Sequence, residues 1–213
     1  MRLPVLVSFL VISSVEQAVS QNAYIKSGQQ AYIEGNFTAA IKQLEKGRLI
    51  DSTNANALWM LGYSYYHSDN YLKSIAAFTK EIALEPADAH AYYYRARAQV
   101  HLGTESQLPA EKEKYLLGAI IDLTKAISIN PADAKLTVFY QNRGIAYREY
   151  GIFRLQNTPK FFDRPRGINA LKASIADLQK VYDSDRSRDD IAALIDISKE
   201  KLATATATAN ARH

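Results

Sequence analysis

No cysteine occurs anywhere in the chain, which excludes disulfide staples, thiolate zinc sites and a lipid-modified cysteine behind a leader. The 213 residues must therefore hold together by packing alone, and a chain of that size has core enough to do so. Proline and glycine are scarce, at six and nine, so long helices can run uninterrupted. No segment approaches the ~20 consecutive apolar residues that span a bilayer. Basic residues outnumber acidic ones only 26 to 22 and are dispersed, so nucleic acid is disfavoured as a partner. Glycine-rich phosphate loops, His-Glu-x-x-His pairs and serine elbows are all missing. Four histidines remain, at 67, 90, 101 and 213. His67 and His101 recur at equivalent places, but two imidazoles without a nearby carboxylate make a poor metal site. The expectation is a chain with no enzymatic activity, no cofactor, no metal and no small-molecule substrate.

What is present begins with a leader-like start. Arg2 precedes the apolar run Leu3 to Ile12, and Ala18-Val19-Ser20 places small residues where a signal peptidase reads. Residues 1–20 are expected to be a signal peptide cleaved before Gln21, which implies a periplasmic or secreted protein. Asn36-Phe37-Thr38 fits the glycosylation pattern and falls in an expected turn.

From residue 21 the chain repeats itself. Leu58, Leu61-Gly62, Tyr65, Ser74, Phe78 and Pro86 have the spacing of one 34-residue unit. The same columns return as Tyr24, Ser27-Gly28, Ala40 and Leu44, as Tyr92, Arg95-Ala96, Ala119, Leu123 and Pro131, and as Tyr140, Arg143-Gly144, Tyr147, Ser174 and Leu178. Ile41, Ile75, Ile120 and Ile175 form one column, and Lys46, Lys80, Lys125 and Lys180 another. Small residues let paired helices approach, large apolar residues fill the space between them, and Pro86 and Pro131 end second helices. No single unit can bury its apolar face alone, so the units must stack. Arg188 to Ala203 reads as a further helix with Ile191, Leu194, Ile195 and Leu202 on one face, fit to cap the last layer. Residues 204–213 carry no large apolar side chain and are expected to be a disordered tail.

These columns resemble the tetratricopeptide repeat family over roughly residues 21 to 183. The resemblance implies an all-α helical-hairpin solenoid, a right-handed superhelix of about four repeats (21–54, 55–88, 89–133 and 134–183) plus the capping helix 188–203. It further implies that the first helix of each repeat lines a concave face. By that alignment Tyr32, Trp59, Tyr63, Tyr66, Tyr93, Tyr94, Arg97, Asn142 and Arg148 point inward, making a groove for a peptide segment of a partner. Tyrosine suits such a surface, offering large area, few rotors and a hydroxyl. Family members that grip a C-terminal carboxylate use lysine, asparagine and arginine at set inward positions. Here Ile25, Gln29, Met60, His90 and Tyr94 stand there, so that clamp is missing.

Two insertions interrupt the period within repeats three and four. Both fall between paired helices and so should be neighbours along one edge. Within Thr104 to Gly118, Pro109 followed by Glu111 signals an early helix start. Ile152 to Asn169 interleaves Arg154, Lys160, Phe161, Phe162, Arg164 and Arg166. Such a basic-aromatic loop can bind an acidic partner or a single strand of nucleic acid. Folding the phenylalanines onto the adjacent core is the commoner outcome. Self-association through this edge, giving a homo-oligomer, is the alternative function, and polyanion binding the third.

Overall fold

The computed structural model describes residues 23–50, 52–130 and 135–210. The expected signal peptide, Pro131 and the last three tail residues lie outside them. The described residues are helices joined by short turns, with no strand among them. They are α1 (23–33), α2 (Phe37–Ile50), α3 (Ala55–Tyr66), α4 (Tyr71–Leu84), α5 (Ala89–Glu105), α6 (Pro109–Ile129), α7 (Leu136–Leu155), α8 (Arg164–Ser184) and α9 (Asp189–Asn210). Two compact units divide the chain, one ending at Pro86 and the other beginning at Ala87.

In the N-terminal unit, α1 pairs with α2 and α3 with α4. The turns between partners use one recipe at equivalent positions: Gly35 and Asp69 both take left-handed φ angles, 73° and 56°. Glycine does so freely, and aspartate is among the few other residues that tolerate it. Asn36 and Asn70 then cap α2 and α4, their side-chain oxygens accepting from Ala39 and Lys73 N–H groups. The glycosylation-pattern asparagine thus already serves as a helix cap.

Packing within each hairpin follows the small–large columns. A Cβ on Gly28 would lie 2.6 Å from Leu44, and one on Gly62 2.8 Å from the Phe78 ring. In the C-terminal unit a Cβ on Gly144 would meet Leu178 at 2.8 Å. Leu44, Phe78, Leu123 and Leu178 are fully buried. Two members of the lysine column have a physical reason as well. Lys46 Nζ sits 5.3 Å from the Tyr24 ring and Lys180 Nζ 4.2 Å from Tyr140, both cation–π contacts.

The insertions are mostly added helix. Helices α5 and α6 run 17 and 21 residues, against 12 and 14 for α3 and α4. The extra turns reuse the same packing, since a Cβ on Gly103 would come 2.9 Å from Leu116 and one on Gly151 3.0 Å from Leu171. Pro109 does start α6 early. The second insertion corrects the expected loop: 152–155 end α7 and 164–169 begin α8, leaving only 156–163 outside helices. The tail is corrected too. Helix α9 continues past Ala203 to Asn210, and Ala205 is buried. Alanine's helix propensity and a continued backbone ladder carry the helix there without large apolar side chains.

Candidate functional site

In the N-terminal unit the first helices bring a set of rings together. Trp59, Tyr63 and His67 stand four residues apart, one above the other on a helix face. Trp59 and Tyr63 stack at 5.4 Å with 15° between planes, and the Tyr63 and His67 rings are 4.3 Å apart. Tyr32, at the end of α1, meets Tyr63 edge-on at 5.4 Å and Trp59 at 6.2 Å. Phe37, at the start of α2, stacks on His67 at 5.0 Å. Tyr32, Phe37, Trp59 and Tyr63 are half-buried and His67 is exposed. Burial, and then the neighbouring Tyr63, push the Tyr32 hydroxyl's pKa above its ordinary value. Phe37 had no place in the groove deduced from the repeats, because it opens the second helix of its hairpin rather than lying on a first helix.

Tyr66 is corrected by the same geometry. It is buried, with its ring edge-on to His67 at 5.2 Å and to Tyr71 at 5.7 Å, so it supports the cluster from the packing between α3 and α4 rather than offering a face to a partner. A step of three from Tyr63 rotates it off the Trp59–Tyr63–His67 line.

The C-terminal unit treats its expected groove residues differently. Tyr93 is buried, its ring 5.3 Å from Phe139. Tyr94 is half-buried, and the Arg97 guanidinium lies over both rings, at 5.6 and 5.8 Å. Asn142 turns its amide back onto the Val138 carbonyl, 2.9 Å away. Arg148 pairs with the adjacent Glu149 at 2.7 Å. Rings meet here too, His90 and Tyr93 against Phe139 and Tyr93 against Tyr94, but Tyr93 and Phe139 are buried, and Arg97 stands where Tyr63 does.

At the inserted edge the expected residues separate. Arg154 is buried, donating through Nη1 to Glu113 of the first insertion and through Nη2 to Asp163 at 3.3 Å. The two insertions are indeed neighbours, with Arg154 as the strut between them. Phe161 packs on the core and touches Phe153 at 5.7 Å. Phe162, Lys160 and Arg166 are exposed and Arg164 half-buried, with Arg166 held 3.2 Å from Asp163. Arg154 is thus lost to any basic surface, because a buried guanidinium needs its carboxylates.

Sequence reasoning missed two buried ion pairs. Arg95 on α5 grips Asp122 on α6 through Nε and Nη2, at 2.7 and 2.6 Å. Arg143 on α7 grips Asp177 on α8 in the same way, at 2.7 and 2.9 Å, and reaches Thr124 with Nη1 at 3.2 Å. Burial alone would lower both guanidinium pKa values, but the bonds to the aspartates outweigh it and raise them. The signal was in the columns: arginine precedes the small residue in repeats three and four, where repeats one and two have Ser27 and Leu61.

No protein-family model and no curated protein matches the chain. Solved structures do match it. MamA is 21% identical over 85% of this chain and 91% of its own, with a TM-score of 0.55. The 41-to-end portion of MamA from Desulfovibrio magneticus RS-1 is 16% identical, covers 90% and 96% of the two chains and gives 0.54. A thermophilic TPR protein of Thermus thermophilus is 18% identical over 84% of this chain and 98% of its own, with a TM-score of 0.50. At such identities the likeness is one of fold. Taken with the 34-residue columns and the hairpins they build, it establishes that this chain has the tetratricopeptide-repeat fold.

Proposed function

We propose that the chain is a non-catalytic protein–protein interaction module, and that it holds a peptide segment of a partner against the aromatic face of its N-terminal unit. The observation that carries this reading is the cluster of Tyr32, Phe37, Trp59, Tyr63 and His67, whose rings brace one another while staying partly open to solvent. Rings already fixed by neighbours lose little entropy on binding, and aromatic anchors supply most of the energy of such interfaces. In the C-terminal unit, Tyr94 and Arg97, like Asn142 and Arg148, stay half-buried, and the first two offer contacts of the same kind.

The test is an affinity pull-down with wild type beside W59A/Y63A, both checked for helicity. A protein captured by wild type and lost with the double variant supports the aromatic face. Equal capture by both would move the site to the inserted edge, where Phe162 and Arg164 remain accessible. Self-association through that edge is the second reading. It predicts a stable oligomer in size-exclusion chromatography that F162A/R166A dissociates. Export remains part of the proposal, carried by the composition of residues 1–20. Amino-terminal sequencing of the exported protein should begin at Gln21, and retention of Met1 in a cell-associated form would refute it.

A further inference from the structure

A second site is suggested by comparing equivalent gaps in the two units. Helices α2 and α4 flank α3 in the N-terminal unit as α6 and α8 flank α7 in the C-terminal one. In the C-terminal gap Arg143 links Thr124 of α6 to Asp177 of α8, so the space is filled by a guanidinium holding a carboxylate. By the repeat columns, the matching residues in the N-terminal unit are Leu61 for Arg143, Ala77 for Asp177 and Glu45 for Thr124. Neither the inner cation nor the inner carboxylate is present there. A cleft of about 210 Å³ lies in that place, floored by Leu58, Leu61, Ala76 and Ala77.

Its rim carries Arg48, Lys73 and Lys80 against the single carboxylate of Glu45. Glu45 is already committed. Its Oε2 accepts from Arg48 at 2.6 and 2.9 Å, and its Oε1 accepts from the Tyr65 hydroxyl at 2.7 Å. Burial pushes the Glu45 carboxyl up, but the Tyr65 bond, Arg48 and the nearby Lys73 outweigh it and hold the pKa below its ordinary value. Lys73 Nζ stands 5.3 Å from the Tyr65 ring, and neither Lys73 nor Lys80 forms an ion pair with a described residue. Two ammonium groups thus border a small apolar-floored cleft with no carboxylate among the described residues in ion-pair contact with either.

We propose that this cleft is a receptor for one acidic side chain, glutamate or aspartate, of a partner polypeptide. Its carboxylate would sit between Lys73 and Lys80, and its methylene stem would lie over Leu61 and Ala77. The incoming group restores from outside the carboxylate that Asp177 supplies from within the other unit. A polypeptide side chain fits better than a free metabolite because the cleft is smaller than the ~300–1,000 Å³ typical of small-molecule sites. The site lies over α2 and α4 and shares no lining residue with the aromatic face.

The experiment follows the methyl resonances of Leu58, Leu61, Ala76 and Ala77 in the full chain. The probes are acetyl-(Glu)6-amide, the matching glutamine peptide and glutarate. The glutamate peptide should shift these methyls, with an apparent affinity that falls with salt and drops at least ~10-fold in K73Q/K80Q. L61R/A77D, which copies the C-terminal unit into the cleft, should abolish the shifts. Tyr63→Ala, which spares the Trp59 ring packed on the core around Leu61 and Ala77, should leave them intact, so that the two sites stand or fall separately. Equal response to the glutamine peptide, or no change in K73Q/K80Q, overturns the proposal. Glutarate binding as tightly as the peptide also overturns it, by pointing to a free dicarboxylate. Should L61R/A77D fail to fold, the surface variant K73Q/K80Q still decides.

Discussion

The N-terminal unit sets Leu61 beside Ala77, while the C-terminal unit sets Arg143 beside Asp177 at the same structural positions. Arg95 and Asp122 repeat the second choice in the preceding hairpin. One backbone geometry therefore accepts two chemistries at the contact between paired helices. The apolar choice contributes burial without desolvating a charge. In the ionic choice two charges are desolvated and recover that cost only through bidentate geometry, which both pairs have. The choice also changes what the surface can do. Where the pair is internal, the gap between second helices is spanned; where it is absent, a cleft ringed by cations remains. The first helices differ in parallel, with half-open stacked rings in one unit and, in the other, rings that are buried or covered by Arg97.

The sharpest way to break this comparison is to remove one charge. Asp177→Ala leaves the Arg143 guanidinium buried without its carboxylate, and stability measured by urea unfolding should fall by about 3–5 kcal/mol. R143L/D177A, which copies the N-terminal unit, should recover most of that loss. Little recovery would mean that the two chemistries are not interchangeable on this backbone.

A smaller loss, about 3 kcal/mol, is expected for Tyr66→Ala, because its ring is buried between α3 and α4. Tyr63→Ala, one turn away on the half-buried face, should cost less than half as much by the same measurement. Comparable losses would place both rings in the core and weaken the case for an aromatic docking face.

Gly62→Ala and Gly144→Ala test whether the units share their close helix approach. Each added Cβ would fall 2.8 Å from a buried side chain, and thermal unfolding should register a loss of about 1–3 kcal/mol. A neutral result in one unit alone would show that its hairpin is the looser of the two.

The smallest effect concerns pH. The folded-state pKa of Glu45 is depressed, so its contribution is complete above the ordinary carboxylate value and is lost as pH falls through the lower, folded value. E45Q should therefore unfold in acid with a slightly shallower pH dependence than wild type. An unchanged acid limb would mean that the Tyr65–Glu45–Arg48 cluster is not holding the ionised form.

Much of the hairpin packing was legible in the chain. Gly28, Gly62 and Gly144 were readable as close-approach positions and Leu44, Phe78 and Leu178 as the fillers between helices, and the structure brings each glycine against its filler. Trp59 and Tyr63 were likewise readable as one face, because residues four apart on a helix must share it. Tyr66 failed the same reading since a step of three rotates it toward α4. The burial of Arg154 was not readable at all. Its carboxylates, Glu113 and Asp163, come from two insertions that interrupt the period, so no column connects them.

By itself the sequence determined the period, the pairing of helices and the small–large contacts that hold each hairpin. These follow from helical geometry and side-chain volume, which act over a few residues and repeat with the chain. Only the tertiary structure decided which rings stay open, which arginines are buried and how far α9 runs. Those outcomes depend on what distant segments place alongside each side chain. A charge is stable in the interior only where a partner of opposite sign has been delivered to it.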